Sequence, residues 1–260
     1  MNTVDKSPQG AVSVDKLPVE RASVADIWRV PVAVWRARRA LDRGDLKAAR
    51  TLVAPLLGSF GSVTFIRKLA AEILYASGDP LSAAALFEQA AKRLPDRAVA
   101  VGLVASYAAL NRAGDARRSA ALLPDQIDVR LALAWAELVA LGGDRGRGGG
   151  LVAAITSDPD LAASAERIAM QRALEAIVAA RSGDRDGVRA KLREAETGAT
   201  KLRAGDRAFL GYLGGVALRE AGLVDDALAT FALAMDASPD SIGAALARRE
   251  RANLAGGRPL

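Results

Sequence analysis

The sequence predicts an all-α fold, an α-solenoid of about six antiparallel helical hairpins closed by a C-terminal capping helix. Three observations carry that prediction. Apolar residues make up 51% of the chain but aromatics only 4%, so the apolar content is mostly Ala, Leu and Val, which suits closely packed helices better than sheets. Marker glycines recur at Gly44, Gly78, Gly114, Gly143, Gly183 and Gly222, spaced 34, 36, 29, 40 and 39 residues apart, and Asp follows each except the last. Glycine supplies the left-handed residue that closes one helix, and Asp then caps the next. Finally, two distant segments, 71–95 and 215–239, place the same residue types at the same offsets: Gly78, Ala83, Phe87, Ala90 and Pro95, then Gly222, Ala227, Phe231, Ala234 and Pro239.

The elements follow in order. Residues 1–22 are rich in Pro, Ser, Gly, Asp and Lys without helical periodicity and are expected to form a disordered tail. Within it Val4-Asp5-Lys6-Ser7-Pro8 is echoed by Val14-Asp15-Lys16-Leu17-Pro18, a repeat that either docks a partner or reflects low complexity. A helical domain spans 23–255, and 256–260 form a short tail. The first hairpin covers about 31–57, with Ala37 and Ala49 at its small positions. The second, 64–95, is the cleanest. The third begins near Ala100, and Pro124 shortens its second helix. The fourth has a first helix over 128–141 and then a run from Arg145 to Gly150 containing four glycines. Glycine disfavours helix, so a loop is expected there, with helix resuming only over 151–156. The fifth spans 161–199, the sixth begins near Asp206, and a last helix over 241–254 starts at Ser241 and stops at Gly256-Gly257.

The Gly78 to Pro95 and Gly222 to Pro239 pattern resembles the tetratricopeptide repeat, a bacterial-type version with degenerate central units. The resemblance implies a right-handed superhelix whose concave face is lined by the first helix of every hairpin. It also implies which positions face inward, counted back from each turn glycine. These are Arg38 in the first unit, Phe65, Lys68, Glu72 and Tyr75 in the second, and Asn111 and Arg112 in the third. Glu137 in the fourth, Arg181 in the fifth, and Phe209, Tyr212, Arg219 and Glu220 in the sixth complete the set. Aromatic anchors with charges of both signs suit a peptide or a helix of a protein partner. Some members of this family grip acidic chaperone tails through a Lys/Asn/Arg clamp; here Glu72 follows Lys68 where Asn would be expected, which disfavours that use. The expected function is therefore a non-catalytic scaffold or adaptor in assembly of a larger complex.

Composition excludes several chemistries. There is no Cys and no His, which removes disulfides, thiol nucleophiles, Cys or His zinc sites and histidine acid–base catalysis. No Gly-rich phosphate loop or nucleophile elbow occurs: Gly211, Gly214 and Gly215 lie inside a helical unit with no strand before them. No metal, cofactor or small-molecule substrate is expected. Net charge is +6, and residues 1–50 hold ten basic and six acidic side chains. Trp28, Trp35, Arg36, Arg39 and Arg43, with Ile27 and Val34, read either as an N-terminal cap of the first hairpin or as an amphipathic segment on an anionic membrane. A short Arg-Gly run at 145–150 and the basic charge balance are the hints of RNA binding. Acidic Glu72, Glu137 and Glu220 on the expected groove oppose that reading. With no leader and no stretch of about 18 apolar residues, the expected location is the cytoplasm.

Overall fold

The structure is a computed structural model that describes residues 29–256; the tail at 1–22 and Trp28 fall outside them. Among the described residues the fold is all-helical, without a strand. The helices are α1 (Val30–Asp42), α2 (Leu46–Phe60), α3 (Thr64–Ala76), α4 (Pro80–Ala91), α5 (Arg97–Ala109), α6 (Ala113–Ala120), α7 (Ile127–Val139), α8 (Arg145–Thr156), α9 (Ala165–Arg181), α10 (Arg185–Ala199), α11 (Ala204–Glu220), α12 (Val224–Ala237) and α13 (Ile242–Ala255). A 3₁₀ turn, Pro159–Ala163, precedes α9. Each helix packs on the next, giving six hairpins and a final single helix, a helical-repeat solenoid.

Turn chemistry sets the hairpins. Left-handed residues occur at Gly44, Gly78, Asn111, Gly142, Gly183 and Gly222. Five of these six close the first helix with the same bond pair, as in Asp79 N–H to Leu74 O at 2.9 Å and Gly78 N–H to Tyr75 O at 3.0 Å. This is the Schellman arrangement that satisfies orphan carbonyls at a helix end. Asp45, Asp79, Asp144 and Asp184 then accept from the third residue of the following helix, supplying one of the missing N-terminal partners.

Two markers read from sequence are displaced. Gly114 lies inside α6 and the turn belongs to Asn111; Gly143 lies one residue past the true turn at Gly142. Asp115 consequently sits in the first turn of α6 and pairs with Arg112 instead of capping. The loop expected at 145–150 is also corrected: α8 is continuous from Arg145 to Thr156. Asp144 caps it, and Gly148 lies so close to α7 that an added Cβ would sit 2.8 Å from Leu138 Cγ. Close packing against a neighbouring helix here outweighs intrinsic propensity, as tertiary contacts commonly do.

Small residues set the distance between helices. Ala83 and Ala90 are fully buried, and the ring of Phe87 rests on the backbone of Gly102 in α5, with three ring atoms no more than 2.7 Å from where a Cβ would stand. Phe87 thus joins the second hairpin to the third. Phe231 does the same work within its own hairpin, seated on Gly215 of α11, while Gly211 opposite Ala234 brings α11 and α12 together. The glycines of 211–215 are packing residues.

The array curls toward its first helices. Among the described residues, long-range contacts close this side: Asp42 of α1 lies 3.9 Å from Arg203 at the start of α11, and Arg249 of α13 donates to Ala109 O of α5 at 2.7 Å. Gly78, at the turn after α3, abuts Ala245 of α13, where a Cβ would stand 3.1 Å from the alanine methyl. As a result α5 over 102–109, α7 over 131–138 and α11 over 212–218 are buried on every side. A helix that is apolar all round belongs inside a protein, and these three form the centre of this one.

Candidate functional site: the face of the first helices

The expected groove residues divide into two groups. In the first two hairpins Arg38 and Phe65 stay exposed, and Lys68, Glu72 and Tyr75 are half-buried. Arg38 bonds Glu72 at 2.5 Å and also meets Asp42 at 3.3 Å, while Lys68 reaches Asp96, the N-cap of α5, at 2.5 Å. Phe65, one turn before Lys68, is 57% exposed. Burial raises the carboxyl of Glu72 above its usual range, against the opposing pull of Arg38 and Lys68. The result is an apolar ring beside a short ladder of alternating charge.

In the later hairpins the same face is closed. Tyr212 is completely buried, and Phe209 lies against Trp135 of α7 with ring centroids 4.9 Å apart in a T-shaped arrangement. Trp135 also meets Tyr212 edge-on at 6.4 Å. Burial pushes the Tyr212 hydroxyl up to about 12, with Glu250 adding to it. The hydroxyl of Tyr75 is raised too, by burial and by Tyr212. Phe209 and Tyr212 therefore come together with Trp135, a residue the sequence reading did not name, and half-buried Tyr75 is near enough for Tyr212 to act on its hydroxyl.

Charged residues continue the closure. Arg181 pairs with Glu220 at 3.4 Å and donates to Leu138 O at the end of α7. Arg219 pairs with Glu220 at 2.8 Å and with Glu250 of α13. Burial lowers the guanidinium of Arg181; Glu220 is held below the usual carboxylate range because Arg219 and Arg181 outweigh its burial. A guanidinium placed at a helix C-terminus meets unsatisfied carbonyls and the negative end of the dipole. Arg181 and Arg249 both use that geometry to fasten the inner helices.

Three expected groove residues lie elsewhere, and the displaced turns explain why. Asn111 is itself the left-handed turn residue; Arg112, next to it, stacks over Tyr107 at 4.8 Å and bonds Asp115. Glu137 is one position off the inner face because Gly142, not Gly143, ends its hairpin turn. Its carboxylate is buried, receives two bonds from Arg117 at 2.5 and 2.7 Å and one from Asp144 N–H at 2.7 Å, and is held below its usual range by them despite burial. Counted from the true turns, the inner positions of the third and fourth units are small and apolar: Ala105 and Ala108, then Ala132 and Ala136. Such short side chains leave room for the aromatic cluster and α13.

At the N-terminal end Trp35 is 55% exposed with Arg39 over its ring at 5.1 Å, and Arg36 and Arg43 are exposed beside it. Trp35, Arg36, Arg39 and Arg43 line one shallow cleft with Ala48 and Leu52, about 320 Å³ in volume. Among the described residues no group of three or more metal-ligating side chains comes together, and no helix is long and apolar enough to cross a membrane. The fold and this face define a helical-repeat solenoid curled on its own inner side. Comparison with protein-family models, curated proteins and solved structures gave no significant match.

Proposed function

We propose that this protein is a non-catalytic scaffold of tetratricopeptide-like hairpins that holds a peptide or protein segment and supports assembly of a larger complex, acting in the cytoplasm. The observation that carries the reading is Phe65, more than half exposed beside the Arg38–Glu72 and Lys68–Asp96 pairs on the inner edge of the first two hairpins. An exposed aromatic flanked by fixed charges of both signs is the pattern of a binding hot spot with a polar rim. Rigid helices hold these side chains in place before a partner arrives, which lowers the ordering cost of docking. The later hairpins, closed by their own aromatics, serve as the support. A segment docked across α1 and α3 would contact Phe65 with its apolar side and exchange hydrogen bonds with Lys68 and Glu72. The test is a pull-down with the full chain beside Phe65→Ala and Lys68→Glu variants. Loss of the same partners from both variants supports the reading; unchanged partners remove the groove assignment.

A further inference from the structure

The turn residues place all six first helices in one register. Nine positions before each turn stand Trp35, Leu69, Gly102, Leu133, Leu174 and Leu213. The last five are buried; Trp35 alone is more than half exposed. The neighbouring register positions agree. Arg36 corresponds to buried Ala70, Leu103, Ala134 and Gly214 and half-buried Glu175, and Arg39 to buried Ile73, Ser106, Glu137 and Ala217 and half-buried Val178. Val32 is exposed where Ile66, Val99 and Gln171 are buried and Arg130 and Leu210 half-buried. In α5 this face receives the second helix of the preceding hairpin, with Phe87 seated on Gly102. The outer face of α1 is thus a stacking surface that no described helix covers.

Its chemistry differs from the interior copies in one respect. Residues 29–60 hold seven basic and two acidic side chains, a local excess of five in a chain whose net charge is +6. Both acids are engaged, Asp42 with Arg38 and Asp45 as the cap of α2. The arginines at 36, 39 and 43 ring an apolar floor made by Trp35 and Leu52. We propose that this face docks an acidic amphipathic helix of a partner protein, seated where the second helix of a preceding hairpin would lie. The proposal rests on the scaffold reading but uses a different face from Phe65. Apolar residues of the incoming helix cover Trp35 and Leu52, and its carboxylates meet Arg36, Arg39 and Arg43. Opposite charge around an apolar centre sets both orientation and choice of partner. A bilayer is less well matched, because Arg39 already lies over the Trp35 ring at 5.1 Å and arginines rim the cleft around it.

The probe is a fluorescently labelled synthetic 18-residue helix with leucine along one stripe and glutamate on its flanks, beside the same peptide carrying lysine. Anisotropy is measured with the full chain. The glutamate peptide is expected to bind at least tenfold more tightly than the lysine peptide and to weaken as salt rises. Trp35→Ala weakens it at least tenfold, Arg36→Glu with Arg39→Glu reverses the preference toward the lysine peptide, and Phe65→Ala leaves it unchanged. Circular dichroism checks that each variant is folded. Equal binding of both peptides, or binding of neither, overturns the proposal. So does Trp35-dependent sedimentation with phosphatidylserine vesicles without peptide binding, which assigns the face to a membrane. Peptide binding that appears only after residues 1–28 are removed assigns it to the chain's own N-terminal segment and overturns it as well. Loss of partners from Phe65→Ala alone, with peptide binding intact, would separate the two readings.

Discussion

The indole of Trp135 meets the ring of Phe209 edge-on, their centroids 4.9 Å apart, although α7 and α11 are separated in sequence by an entire hairpin. That contact ties the middle of the array to its last hairpin. Trp135 is fully buried, so Trp135→Ala should cost about 3–5 kcal/mol from lost burial and the cavity left behind. A double-mutant cycle with Phe209→Ala should leave a coupling of about 0.5–1.5 kcal/mol, the usual worth of an aromatic pair beyond its area. Urea unfolding of the four proteins checks both figures. Additivity of the two substitutions would mean the rings do not interact.

Closure by α13 gives a second expectation. Arg249 fastens α13 to the end of α5, and Arg219 binds Glu250 beside it. Arg249→Ala should release the inner face of α13 without unfolding the solenoid, because α13 still packs on α11 and α12. Hydrogen exchange should then rise in α13 and at the C-terminal turn of α5, with the protection of α9 unchanged. A uniform rise over all helices would show instead that α13 is needed for global stability.

Much of this architecture was legible from local signals, and the failures share a cause. Gly44, Gly78, Gly183 and Gly222 were identifiable because a left-handed turn requires glycine at little steric cost. Asn111, expected in the groove, is not marked as a turn by the glycine rule because asparagine also tolerates that conformation, and a Gly-Asp pair three residues later imitates the turn. Gly143 likewise drew the count one residue past Gly142. A one-residue error on a helix rotates a side chain by about 100°, enough to move Glu137 from the expected groove to the packed side. Sequence spacing placed Phe209 and Tyr212 on the inner face, but it gave no sign that the curl would pack them against Trp135. That is a property of the whole array, set by many small helix-to-helix rotations.

Two carboxylates should respond to pH with opposite sign. Glu137 is held low in the folded protein, so it stabilises the fold above the unfolded glutamate range near about pH 4.3, and that stabilisation is lost as pH falls through its depressed folded value. Arg117 is a third exposed and can be solvated once Glu137 is gone, so Glu137→Ala should cost about 1.5–3 kcal/mol at neutral pH through its lost charge-assisted hydrogen bonds, and the gap to wild type should narrow in acid. Glu72 is raised by burial. Its ionised form therefore costs stability at neutral pH, and the cost disappears as pH falls through the raised value. Glu72→Gln should accordingly gain relative to wild type at neutral pH and lose that advantage in acid. Denaturant titrations from neutral to acidic pH, read as the difference between variant and wild type, would refute the assignment if the two slopes had the same sign.

The glycines of α8 separate propensity from packing most cleanly. Gly149 and Gly150 lie in mid-helix with nothing within 4 Å of an added Cβ, whereas a Cβ at Gly148 would stand 2.8 Å from Leu138 Cγ and 3.2 Å from Glu137 Cβ. Alanine at an open helical position restricts the unfolded chain and adds no clash, a gain of about 0.5–1 kcal/mol. Gly149→Ala and Gly150→Ala should each raise stability by about that amount. Gly148→Ala faces two rigid neighbours on α7 and should cost about 1–3 kcal/mol through overpacking, even though its intrinsic helix propensity improves by the same amount as at the other two sites. Thermal unfolding of the three single variants reads the comparison directly. If all three were stabilised, α8 would not be packed tightly on α7. If all three were neutral, residues 145–150 would form the loop that glycine content alone predicts.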